Sequence, residues 1–214
     1  MKTILKFTFL LATVITFNSC KKEITIDYKY SDKESVLKCD NVNKKLISEA
    51  VYTFEEDIKN FYANKKFTLR NAYSFFINGA TNNRIKYEDI VSKHAISVLD
   101  ALKQESDLWD LQSNISQLNY NNDFIKCIAN SIKNERLKTT FNALLNTNSM
   151  RPNLMAAPLS DNLTSVLNDK NLSAYIALQY YYANLVNIDF SKIDFDKKEV
   201  GTEKTDNPSN KKED

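Results

Sequence analysis

Glycine scarcity is the tightest constraint on what this chain can fold into. Only Gly79 and Gly201 occur in 214 residues, against an average usage of about 7%. Hairpin turns of strand-rich folds draw on glycine for backbone angles that other residues resist. Phosphate-cradling loops need it so that main chain can approach a ligand closely. A chain this poor in glycine is expected to be helical and to lack both of those devices. Asn, Lys and Ile are abundant, as an AT-rich gene would produce.

Apolar residues recur at helical spacing over most of the length. Asn43 is placed to cap a helix over 44–63, with Leu46, Ala50, Val51, Phe54, Ile58 and Phe61 on one face. Thr68 caps a second helix, with Gly79 as its left-handed stop. Tyr87 to Leu102 reads as one continuous stripe containing His94. Leu108, Leu111, Ile115 and Leu118 predict a helix capped by Ser106. Asn122 opens another, and one more surrounds Leu137 and Phe141. Pro152 and Pro158 mark 146–158 as an ordered loop crossing the bundle. Leu159 to Leu167 forms a short helix, and Asn171 caps the last one. Between Leu172 and Val186 only Ser173, Gln179 and Asn184 are plainly polar. A helix apolar on all sides is either enclosed by others or docks on a partner, in which case Leu178, Tyr181 and Leu185 are the candidate interface. The fold class is therefore all-α, a single compact bundle of about six to eight helices over 41–190. Residues 191–214 are too polar to bury an apolar face and are expected to be disordered.

The N-terminus reads as an address. Lys2 and Lys6 precede an apolar run from Phe7 to Phe17, then Asn18, Ser19 and Cys20. That is the order of a secretory signal, and the run is shorter than the roughly 18–20 residues that span a bilayer. Phe17-Asn18-Ser19-Cys20 resembles a lipobox, although Phe17 stands where Leu is commoner. The resemblance implies a signal peptide over 1–19, cleaved so that a lipidated Cys20 becomes the N-terminus. Residues 20–40 would then form a tether. Each buried CH₂ of an acyl chain contributes about 0.8 kcal/mol, so two or three chains anchor firmly. The absence of an Asp or an acidic cluster after Cys20 points to the periplasmic face of an outer membrane.

With Cys20 carrying lipid, Cys39 and Cys127 remain. In an oxidising compartment two such residues often pair; the alternative is a buried Cys127 and a free Cys39. Removal of Lys2 and Lys6 from the 29 basic residues leaves 27, equal to the 27 acidic ones. A neutral chain without a basic stripe has no electrostatic footprint for nucleic acid.

The chain has one histidine. His94 serves either as a general base or as a core histidine bonded to an acceptor. One histidine cannot supply the paired Glu-x-x-His motifs of a di-iron bundle or a usual zinc site. No haem, redox or dinucleotide motif occurs, so no cofactor or metal is implied and no catalytic residue is assigned. Paired carboxylates remain: Glu55, Glu56 and Asp57 are consecutive, and Asp107 and Asp110 flank Trp109. They could serve a glycan site or form a solvated face, and Asp57 falls at the edge of the apolar stripe.

The span from Leu37-Lys38-Cys39 to Asn148-Ser149-Met150, with the blocks Phe54-Glu55-Glu56-Asp57-Ile58 and Cys127-Ile128-Ala129-Asn130, resembles helical lipoproteins of flavobacterial (Bacteroidetes) type. The resemblance carries over no activity. The expectation is a membrane-anchored envelope protein that binds another envelope protein without catalysis. The alternatives are a carboxylate-dependent enzyme acting on glycan or peptidoglycan, and a structural spacer.

Overall fold

The structure is a computed structural model that describes residues 25–35, 37, 39, 42–63 and 68–195. The expected signal segment, Cys20 and the polar residues beyond 195 lie outside the described residues. Every regular element among those described is helical, and the one strand-like pairing is an isolated antiparallel bridge between Trp109 and Leu118.

Helix α1 (Lys44–Phe61) is the spine. Asn43 caps it by accepting from the Leu46 amide at 3.1 Å. Its apolar face packs on α2 (Leu69–Thr81) through Phe54, whose ring lies 5.4 Å from Tyr73 and 5.0 Å from Phe76. Gly79 is not the helix stop. It sits inside α2, and Asn83 takes the left-handed conformation at φ 53°, which Asn tolerates better than most residues. Gly79 is required instead for close approach: a Cβ there would come within 2.9 Å of Ile85 Cγ1.

The expected continuous helix over Tyr87–Leu102 is two, α3 (Tyr87–Ile90) and α4 (Lys93–Leu102). Ser92 breaks it by turning to cap α4, accepting from the Ala95 amide. The expected helix over 108–118 is absent. A 3-10 turn, Ser106–Leu108, leads into a loop closed by Asp110 N–H to Gln117 O at 2.8 Å and Asn119 N–H to Leu108 O at 2.9 Å. Ser113 Oγ accepts from the amides of Ile115 and Ser116, the competition that makes Ser and Asn poor helix formers. Leu111 and Ile115 are exposed.

Helix α5 (Asp123–Ser131) is capped by Asn122, and α6 (Glu135–Asn146) by Asn134. The expected loop over 146–158 instead carries α7 (Pro152–Asp161), with Pro152 in the first turn, where its missing N–H costs nothing. Helix α8 (Leu163–Asn168) leads to the centre of the molecule.

The central helix begins as α9 (Lys170–Ile176), widens into a π-helical stretch (Ala177–Tyr182) and ends as α10 (Ala183–Leu185). Asp169, not Asn171, caps it, holding the Asn171 amide at 3.1 Å and the Lys133 amide at 2.7 Å. Leu178, Tyr181 and Leu185 are fully buried in the core of the chain itself. They present no face to a partner, which corrects the candidate interface: the enclosed-helix alternative is the structure of this segment.

The expected tether over 20–40 is docked where it is described. Glu49 of α1 accepts from the amides of Lys29 (2.7 Å) and Tyr30 (3.0 Å), and Leu37 and Cys39 are buried. Cys39 and Cys127 are joined by a disulfide that ties this segment to α5. At the other end, Ile193 and Phe195 pack against the core, so the packed domain extends past the expected boundary at 190.

Candidate functional site

Two polar assemblies stand out from the apolar core. The first is a seam along α1. Glu49, Thr53 and Asp57 recur every four residues, on one face, and all three are buried. His94 Nε2 lies 2.6 Å from Glu49 Oε1. Tyr30 Oη donates to Glu56, which also pairs with Lys29 Nζ at 2.5 Å. Desolvation pushes the Glu56 carboxyl up, but these two partners outweigh it and hold the group below its ordinary range. Asp57 Oδ2 accepts from the Ser92 amide and hydroxyl, both at 3.1 Å, and from Tyr181 Oη at 2.5 Å. Burial dominates these bonds and pushes Asp57 up to about 6.

The seam is structural in its geometry. Glu49 is saturated by two amides and His94, so His94 is a bonded histidine at the core's edge. Glu55 is held by Tyr73 Oη and Lys170 Nζ, both at 2.9 Å. The consecutive acids 55–57 therefore point to three different partners and do not converge. Asp107 and Asp110 are exposed, and of the two only Asp107 lines the shallow cavity of about 190 Å³ beside Asn43.

The second assembly is a groove of about 560 Å³. Its floor is the π-helical stretch and the residues after it, Gln179 to Asn187. Its walls are the C-terminal end of α2 with Asn83, the loop 113–117, and the start of α7 at Arg151 to Asn153. π-Helical turns recur at functional sites because they displace side chains and leave carbonyls unspent. Here the Ala183 amide bonds Leu178 O, five residues back. The carbonyl of Tyr180 is taken by Tyr87 Oη at 2.8 Å and by Asn184 Nδ2 at 3.1 Å. Tyr180, Tyr181 and Tyr182 donate respectively to Pro152 O, Asp57 and Ala50 O, which locks the floor onto α7 and α1. Gln179 Oε1 receives both Ser116 Oγ (2.7 Å) and Tyr120 Oη (2.6 Å). Burial pushes Tyr120 up to about 12, so it stays a proton donor at neutral pH.

The lining is amide-rich. Asn83, Asn114, Gln117, Asn153, Asn184 and Asn187 all contribute; among the described residues no carboxylate lines the groove, and Arg151 is its one formal charge. Arg151 makes no ion pair among the described residues. Gln117 Nε2 donates to Ser113 O at 2.9 Å, while its Oε1 is sheltered from solvent without a hydrogen-bond partner. No group of three or more His, Cys, Asp or Glu among the described residues is arranged to hold a metal ion.

None of the groove residues was singled out from sequence as a site. They come from four segments far apart in the chain, and Asn is common all along it, so no one of these residues stands out in its own segment. Glu49 was also missed, although an acid in register with Ala50, Phe54 and Asp57 on an apolar face was a readable signal.

Comparison with family models, curated proteins and solved structures finds no match to this chain. What the fold and site define is an all-α domain with a disulfide-tied N-terminal segment and an amide-lined groove.

Proposed function

We propose that this is a lipid-anchored cell-envelope protein whose helical domain binds a partner in the amide-lined groove and performs no catalysis. The anchor reading rests on the order of residues before Cys20. No described helix is long and apolar enough to cross a membrane. The binding reading rests on one observation: among the described residues, the groove joins an Arg151 without an ion pair to a set of amides with no carboxylate. General acid–base chemistry needs a titratable group within reach of substrate, and the acids of α1 are spent on separate partners. An envelope partner, reached from the periplasmic face of an outer membrane, suits both readings.

Site-specific photocrosslinking in intact cells tests the binding reading. A photoreactive residue at Asn114, in the groove wall, is expected to capture a discrete partner. The same group at Asp161, outside the groove, is expected to capture none. Equal capture from both, or none from Asn114, would refute it. Fractionation tests the anchor: Cys20→Ala is expected to move the protein from the membrane to the soluble fraction, and an unchanged membrane fraction would refute lipidation.

A further inference from the structure

The chemistry of the groove narrows the class of its occupant, an inference that rests on reading it as the binding site. Arg151 is exposed and, among the described residues, carries the groove's one formal charge and faces no carboxylate within it. It precedes Pro152 at the start of α7, and no side chain caps that ten-residue helix. A guanidinium beside the positive end of a helix is matched by a carboxylate. The rest of the lining is complementary to peptide groups. Each Asn or Gln side chain offers one planar donor–acceptor pair, as a main-chain peptide does. Asn184 spends its Nδ2 on the Gln179 and Tyr180 carbonyls, which leaves its Oδ1 as an acceptor. Gln117 spends its Nε2 on Ser113 O and keeps Oε1 without a donor. A sheltered acceptor left bare costs about 1–3 kcal/mol and asks for an explanation. Because Oε1 is closed off from solvent, a ligand N–H supplies one only when the Gln117 side chain turns outward into the groove.

The aromatic content separates a peptide from a sugar. Pyranose rings stack their C–H faces on exposed aromatic rings. Tyr180 is the aromatic residue of the lining, and it is 2% exposed with its hydroxyl committed to Pro152 O. Ile115 and Ala183 instead offer small apolar spots between the amides, as side chains of an extended peptide require. The volume of about 560 Å³ falls within the usual range of ligand sites, about 300–1,000 Å³.

We infer that the groove binds the C-terminal end of an extended polypeptide. The terminal carboxylate lies at Arg151 and the start of α7, and main-chain amides lie against Gln117 and Asn184. Capture of a C-terminal carboxylate by main-chain N–H groups is an established recognition mode, and Arg151 would add a charged donor to it. The rest of the peptide leaves along the open side of the groove.

The test uses the purified full-length mature protein in detergent and a degenerate hexapeptide pool immobilised through its N-termini, once with free C-terminal carboxylates and once amidated. Retention on the free-acid pool is expected to be at least tenfold stronger. Arg151→Gln is expected to reduce it to the level of the amidated pool, with an unchanged thermal unfolding curve. Gln117→Ala weakens retention on both pools alike. Equal retention on the two pools, retention indifferent to Arg151→Gln, no retention on either, or binding of oligogalacturonate in place of peptide would each overturn the inference. Crosslinking from Asn114 judges the groove as a binding site separately.

Discussion

Tyr181 Oη donates to Asp57 Oδ2 at 2.5 Å across a sequence separation of 124 residues, inside a core where both residues are buried. The bond joins the central helix to α1, and Ser92 completes it from the break between α3 and α4. Three elements are thus registered on one carboxylate. The large majority of buried polar groups have their bonds made, as these do.

Asp57 gives the protein a pH dependence of definite sign. Burial raises its pKa from 3.8 to about 6. A carboxyl whose pKa is higher folded than unfolded adds stability in acid, and that stability is lost as pH rises through the folded value. The window runs from about pH 4 to about pH 6, and the effect is on the order of 3 kcal/mol. Asp57→Asn removes this component. Urea unfolding of parent and variant should show the parent's advantage shrinking by that order between pH 4 and pH 7. A constant gap would contradict it.

Glu49 anchors the N-terminal segment. Glu49→Ala leaves the Lys29 and Tyr30 amides and His94 without their acceptor, at a cost of about 2–3 kcal/mol for bonds to a charged group. Hydrogen exchange at those two amides should accelerate at least tenfold while the core of α1 stays protected. Unchanged exchange would mean that the segment is held by Leu37, the disulfide and the bonds of Lys29 and Tyr30 to Glu56 without need of Glu49.

The disulfide closes a loop with a sequence separation of 88. In the chain-entropy model such a crosslink is worth about 4–5 kcal/mol. The double variant Cys39→Ser, Cys127→Ser should lose stability of that order in denaturant. Reduction of the parent should reproduce the loss, and the variant should be indifferent to reductant.

Leu178 separates a core residue from an interface residue. Fully buried, it should cost about 2–5 kcal/mol on truncation to Ala. A surface docking residue would cost little by the same thermal measurement.

Gly79→Ala sets helix propensity against sterics. Alone it should destabilise by about 1 kcal/mol or more, because the new methyl meets Ile85 Cγ1 at 2.9 Å. In an Ile85→Ala background the same substitution should stabilise by about 0.5–1 kcal/mol, the intrinsic preference of a helix for Ala over Gly. Additive effects in the double-mutant cycle would deny the contact.

Much of the fold was legible because helical periodicity is a local property. The stripe of α1 and the caps at Asn43, Thr68 and Asn122 depend on residues a few positions apart. The misreadings fall where a side-chain hydrogen bond, distant or local, redirected the backbone. Ser92 left the helix for Asp57, and the 108–118 segment became a loop around the side chain of Ser113. Pro152 reads equally as a loop mark or a first-turn residue until its surroundings are known.

The candidate groove was not legible at all, since Asn83, Asn114, Arg151 and Asn184 share no spacing. By itself the sequence determined an all-helical chain, the order of its main helices, and a set of carboxylates too few in partners to name a reaction. The tertiary structure alone decided that the most apolar helix is enclosed rather than offered to a partner. It also decided that Glu49 holds Lys29 and Tyr30 against α1, and that scattered amides line one groove with a single arginine. The physical reason is range: periodicity and capping act within one turn of helix, whereas burial and polar complementarity arise only when segments remote in sequence are brought into contact.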